Sequence, residues 1–219
     1  MKQGEKRLEI GMLLYPGLTL LDLIGPATVF SWFSNIHLAW KTKDLIYSDT
    51  GIGIQPNCSF ETCPRELDIL FVPGGFGQQQ LMNDAEVLAF LADRAATAKH
   101  VTSVCSGSLL LGAAGLLKGY KATSHWSLLD ALSAFGAEPV EQRVVIDRNR
   151  ITGGGVTAGI DFGLVLLARL RGDEAAKLTQ LAMEYDPEPP FRSGSPKTAE
   201  PETVKQALGF IAAAMEKAG

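Results

Sequence analysis

Along the chain, short apolar runs alternate with longer segments whose apolar residues recur every three or four positions. The runs Leu8–Tyr15, Leu67–Gly75 and Val101–Val104 read as strands buried on both faces. Ile36–Trp40 and Leu45–Ser48 read as further strands. Helical spacing predicts helices over Asp84–Ala98, with Asn83 or Asp84 as cap, and over Ser106–Gly119, Ser127–Gly136, Thr157–Gly172 and Asp173–Tyr185. A last helix is expected over Glu202–Lys217. In "LTLLDLIGPATVFSWF", Pro26 reads as the first turn of a helix, which leaves Asp22 in the loop after the first strand. Arg143–Asp147 and Arg150–Gly155 read as a hairpin around Asp147–Asn149, and Asp186–Pro201 as a loop rich in Pro, Ser and Gly.

This alternation predicts a doubly wound α/β fold, a mostly parallel sheet with helices on both faces, in one domain spanning 1–219. Composition narrows the function. A net charge of −4 gives no basic footprint for nucleic acid. No apolar run reaches the roughly 18 residues of a membrane span. The opening "MKQGEKRLEIGMLLYPG" reads as a first strand rather than a signal peptide, because its apolar run is short and stops at Pro16-Gly17. Three cysteines, Cys58, Cys63 and Cys105, offer no disulfide framework and point to a reducing, cytoplasmic setting.

One stretch carries candidate chemistry. In "TSVCSGS", the strand ending at Val104 meets a helix, with Ser103 two residues before Cys105 and Gly107 two after. That spacing fits a nucleophile elbow, whose tight turn needs small neighbours. The helix reads as starting at Ser106, so the sulfur would face its positive end, which favours a thiolate. A core cysteine is the plainer reading of one Cys among apolar residues, and the elbow spacing weighs against it.

Thiolate attack needs a proton carrier and donors for developing charge. Asp22, among Leu20, Leu21, Leu23 and Ile24, would be desolvated and hold its proton near neutral pH; capping a helix is its alternative role. The glycines of "VPGGFG" are expected to aim backbone N–H groups at the substrate, that of Gly75 beside that of Ser106. His125 stands near a strand end and is the histidine placed to take part, although a His beside a Trp is more often structural; His37 and His100 read as strand-end or surface residues. Cys58 and Cys63 have no partners for a metal site, and no cofactor site is expected. "TGGGVTAGID" lacks the phosphate-loop and dinucleotide patterns and reads as close helix–sheet packing, with Asp161 capping or pairing locally.

Together, "LLDLIGP", "FVPGGFG", "TSVCSGSLLLGAAGLLKGYKATSHW", "ITGGGVTAGIDF" and "PPFRSGSP" resemble the ThiJ/PfpI superfamily of the class I glutamine amidotransferase-like fold over nearly the whole length. Within it, the chain looks like the isocyanide-hydrating branch. The resemblance implies a flavodoxin-like sandwich, a homodimer without metal or cofactor, and a small isocyanide substrate. It implies Cys105 as nucleophile forming a thioimidate, Asp22 as proton carrier, and Ser106 orienting Asp22 through its hydroxyl. Most of the superfamily has a glutamate where Asp22 stands, and the peptidase-like branch has a histidine where Ser106 stands. The hydrating branch usually has threonine there, so Ser106 keeps the hydroxyl and loses a methyl group. Rival readings are a glyoxalase- or deglycase-like enzyme acting on α-oxoaldehydes and a cysteine redox or ligand sensor. Regulators with this domain carry a helix-turn-helix extension, and this chain shows one helix after "SGSPKTAEP".

Overall fold

In the computed structural model, which describes residues 6–218, the apolar run at the head of the chain forms strand β1 (Leu8–Leu13), followed by α1 (Leu20–Phe30) and β2 (Ser34–Trp40). Three short strands follow, β3 (Ile46–Tyr47), β4 (Gly53–Ile54) and β5 (Cys58–Ser59). Next come β6 (Ile69–Val72), α2 (Gln78–Leu81), α3 (Ala85–Thr97), β7 (His100–Val104) and α4 (Gly107–Ala113). After β8 (Lys121–Ala122) the chain makes two 3₁₀ segments, Trp126–Leu128 and Asp130–Phe135. The remainder is β9 (Glu138–Pro139), β10 (Val144–Asp147), β11 (Arg150–Gly153), α5 (Ala158–Arg171), α6 (Asp173–Ala182) and α7 (Pro201–Ala218).

Among the described residues, seven strands form the central sheet in the order β10-β11-β7-β6-β1-β2-β5. All neighbours are parallel except the β10–β11 hairpin. From β1 the chain moves outward to β2 and β5, then returns to β6 on the other side of β1. The strand order therefore reverses between β1 and β6, and a crevice opens there beyond the carboxyl ends. Right-handed crossovers running in opposite directions place α1 and α3 on opposite faces. Register keeps the ends together: Met12 lies beside Phe71, and Val72 beside Ser103.

The core follows from the sequence pattern. β6 is buried along its whole length, as a central parallel strand must be when helices cover both faces. Phe162 of α5 sits on the sheet with its ring 5.7 Å from that of Phe71. Gly153 makes that approach possible, since a Cβ there would lie 2.7 Å from Val104 and 3.2 Å from Phe162. The first glycine of the triplet thus serves helix–sheet packing, while a Cβ on Gly155 would lie 2.8 Å from the His125 ring. Asp84 caps α3, accepting from the N–H groups of Glu86 (3.1 Å) and Val87 (3.2 Å).

Several elements differ from the sequence reading. Pro26 lies inside α1, which begins six residues earlier at Leu20, so Asp22 is on the helix rather than in the loop before it. The apolar face carrying Leu23, Pro26, Val29 and Phe30 packs inward, and burial of that face outweighs proline's preference for a helix start. The helix after Cys105 ends at Ala113, because Gly115 turns left-handed (φ 74°). The stretch 127–136 is 3₁₀ rather than α. Leu45–Ser48 gives only the two-residue β3, paired with β4 outside the main sheet. Asp161 pairs with Arg143 and accepts from the Tyr185 hydroxyl at 3.1 Å.

Phe162→Ala removes a fully buried ring from the sheet–helix contact. It is expected to lower unfolding free energy by about 3–5 kcal/mol, measured by urea denaturation.

Candidate active site

Cys105 follows β7 with φ 55°, the left-handed region that a side chain rarely occupies. Hydrogen bonds hold it there. Its N–H is shared by the carbonyls of Gly153 (3.1 Å) and Gly154 (2.8 Å). Its carbonyl accepts from the hydroxyls of Ser108 and Ser124, both at 3.1 Å. At Gly107 a Cβ would lie 2.2 Å from the Val72 carbonyl oxygen, so only glycine allows the helix to leave the elbow this close to β6. Ser106 is the residue before α4 rather than its first turn.

The loops after β1 and β6 are joined across the crevice. Thr19 N–H donates to the Gly74 carbonyl (2.9 Å), and the Tyr15 hydroxyl donates to the Pro73 carbonyl (2.9 Å). Gly75 has φ 139° and packs where a Cβ would lie 2.4 Å from the Thr19 nitrogen. A Cβ on Gly74 would lie within 2.8 Å of the Ser106 nitrogen, the Ser106 hydroxyl and Asp22 Oδ2 at once. Gly74 is therefore the point around which the three functional groups gather.

Asp22 has no solvent exposure. Its Oδ2 accepts from Gly74 N–H at 2.9 Å, and Oδ1 has no hydrogen-bond partner. Burial raises its pKa to about 7, although the Gly74 N–H and contact with Cys105 pull the other way. Burial also pushes the Cys105 thiol well up, and the Asp22 carboxylate pushes it further. The N–H groups of Ser106 and Val156 act against this by donating to the sulfur. The thiolate expected from the helix end is thus not the resting state. α4 is only seven residues long, and loss of water around the sulfur outweighs its positive end.

The Ser106 hydroxyl does not orient Asp22. It accepts from Gly75 N–H at 3.0 Å and lies 3.4 Å from the Gly75 carbonyl. Gly75 N–H is consequently occupied, and the donors that face the sulfur are those of Ser106 and Val156. Sequence reasoning missed Val156, because a backbone donor from the loop after β11 leaves no mark in its own side chain.

Cys105, Ser106, Gly75 and His125 line one chamber of about 220 Å³, and Asp22 lies beneath it. His125 Nδ1 is 2.8 Å from the Ser127 hydroxyl and accepts from Ser127 N–H at 3.3 Å; burial lowers its pKa and favours the neutral ring. Leu128, Val156, Ile211 and Met215 make the chamber mainly apolar, the last two coming from α7. Gln78 also lines it, unforeseen from the sequence except as the first of three glutamines after "FVPGGFG". Cys58 and Cys63 lie in the core, away from this chamber, as free thiols. Among the described residues no group of three or more His, Cys, Asp or Glu gathers to hold a metal ion.

A buried acid raised from 3.8 to about 7 destabilises the fold where it must ionise. Stability should therefore fall as pH rises between those two values. Asp22→Asn is expected to flatten that part of the curve, measured by urea unfolding at stepped pH.

Comparison with known proteins agrees with this architecture. Residues 9–169 match the DJ-1/PfpI family. An isonitrile hydratase of Pseudomonas putida is 50% identical over 202 residues, covering 91% of this chain and 88% of that protein. A solved ThiJ/PfpI family protein from Pseudomonas syringae superposes with a TM-score of 0.93 at 54% identity, covering 97% of this chain and 89% of that one. The HTH-type transcriptional regulator GbdR of Pseudomonas aeruginosa is 34% identical over 182 residues, which is 78% of this chain but 49% of the regulator. With its sheet order, its elbow and these matches over most of its length, the chain belongs to the DJ-1/PfpI family.

Proposed function

We propose that this protein hydrates isocyanides, converting R–N≡C and water to the formamide R–NH–CHO, with Cys105 as nucleophile and Asp22 as proton carrier. The observation that carries the reading is the buried pair of Asp22 and Cys105, each perturbing the other's protonation. The terminal carbon of an isocyanide must receive both the nucleophile and a proton. A thiol beside a single carboxyl supplies both to one atom. Acyl-type chemistry would instead need donors aimed at an oxyanion; here Gly75 N–H is bound to Ser106, and the N–H groups of Ser106 and Val156 face the sulfur. The half-identical Pseudomonas putida hydratase supports the substrate class.

At neutral pH and above, the pair holds one proton. Asp22 takes it from the thiol as sulfur attacks the isocyanide carbon, then delivers it to that carbon, giving R–N=CH–S–Cys105. The N–H groups of Ser106 and Val156 steady the sulfur while it carries charge. Water then adds to the same carbon, giving one proton to Asp22, which passes it to nitrogen. The C–S bond breaks as the new hydroxyl on that carbon becomes the formyl C=O and gives water's second proton, through Asp22, to the departing sulfur, so the formamide leaves and the thiol is restored. Ser106 acts through its hydroxyl on Gly75, fixing the strand-end loop rather than Asp22. His125 and Ser127 form a wall for the substituent on nitrogen. No step calls for a metal or cofactor.

The protein is further proposed to act as a cytoplasmic homodimer. Leu21 and Ile24, 42% and 44% exposed beside Asp22 on α1, support an apolar contact with a second copy. No described helix is long and apolar enough to cross a membrane. Light scattering is expected to give twice the chain mass; the mass of one chain would overturn the dimer.

The deciding assay follows formamide production from p-nitrophenyl isocyanide, with methylglyoxal as the competing substrate. Turnover of the isocyanide and its loss in Cys105→Ala are expected; turnover of methylglyoxal alone would replace this reading with α-oxoaldehyde chemistry. The working pair has lost one of its two protons, so kcat/KM should rise through pH of about 7 and then level off, because the second proton is held far more tightly. Asp22→Asn should lower kcat by about 10²- to 10⁴-fold and remove the rise.

A further inference from the structure

Hydrolysis of the thioimidate needs a held water, and the pair of Asp22 and Cys105 accounts for only one of the contacts that water requires. Gln78 stands at the start of α2, directly after the loop that carries Gly74 and Gly75. It is 2% exposed, and it lines the same chamber as Cys105 and Ser106. Its Oε1 has no hydrogen-bond partner. A buried carbonyl left unpaired costs about 1–3 kcal/mol, so a fold that keeps one needs a reason. Among the described residues, and apart from Asp22, the other buried side-chain polar atoms without partners, on Arg94, His100 and Ser103, belong to residues that do not line this chamber. Rotation about the last bond of the glutamine is soft, so its amide can turn its carbonyl or its NH₂ toward the chamber.

We propose that the Gln78 carboxamide holds the water that attacks the Cys105 thioimidate. This rests on the isocyanide reading above. The water gives one proton to Asp22 as its oxygen bonds to the thioimidate carbon, and its other O–H donates to the Gln78 carbonyl. The first half-reaction consumes no water, so Gln78 is a positioning residue for the second half-reaction alone.

That division gives a signature which simple structural damage lacks. Gln78→Met keeps the length and removes the acceptor. With p-nitrophenyl isocyanide it is expected to lower kcat by about tenfold or more, with KM falling in step so that kcat/KM stays near the wild-type value. Intact mass spectrometry during turnover should then show protein heavier by one whole isocyanide, carried on Cys105, where the wild type shows little. Gln78→Glu keeps an acceptor and should restore most of kcat without the adduct. Wild-type kcat in Gln78→Met, or loss of adduct formation along with turnover, would overturn the proposal. A wild type that shows neither adduct nor turnover would overturn the isocyanide reading itself.

Discussion

The left-handed backbone at Cys105 is the constraint on which the site depends. A non-glycine residue held in that region costs on the order of 1–3 kcal/mol and persists only where its surroundings insist on it. Here the insistence comes from four hydrogen bonds drawn from different parts of the chain: the carbonyls of Gly153, which ends β11, and of Gly154 after it, Ser108 on α4 and Ser124 after β8. The bond from Ser124 also anchors the stretch that carries His125 and Ser127 to the chamber wall. Gly107 and Gly74 then allow β6 and α1 to come within atomic contact of the turn. Elbow, crevice and chamber are one mechanical unit.

Asp22 reaches this unit because α1 starts early. A helix beginning at Leu20 places Asp22 and Pro26 one turn apart on the buried face. Proline has no N–H to give to the carbonyl of Asp22, so the backbone there is as poorly served as the carboxyl above it. The fold thus spends helix regularity and carboxylate solvation at one residue. The gain is a carboxyl that changes protonation near neutral pH within reach of the sulfur.

Much of this was legible in the sequence. Alternating apolar runs and helical spacings predict the doubly wound sheet, because strands covered on both faces have no polar alternation to interrupt them. The Ser103-Val104-Cys105-Ser106-Gly107 spacing marks the elbow, since the close approach to β6 admits nothing larger than glycine at 107. Apolar neighbours give away Asp22. What the sequence hides is set by tertiary contacts. Proline's local preference misplaces the start of α1, and the length of α4 depends on where Gly115 turns. The partner of the Ser106 hydroxyl, the donation from Val156 and the unpaired Gln78 arise between segments distant in sequence, and no local pattern encodes them.

The protonation of the thiol also separates an enzyme from a sensor. A redox-sensing cysteine works as an accessible thiolate, and oxidation begins from that form. Cys105 is buried, and both desolvation and the facing carboxylate hold its proton on. The positive end of a seven-residue helix and two backbone donors do not reverse this before a substrate arrives. An electrophile that accepts the sulfur and the proton at one carbon removes the repulsion between Asp22 and a thiolate in the same step. The site therefore keeps its nucleophile neutral in the absence of such a molecule and releases it when one enters. That behaviour suits a catalyst for addition to an isocyanide carbon better than a detector of oxidants.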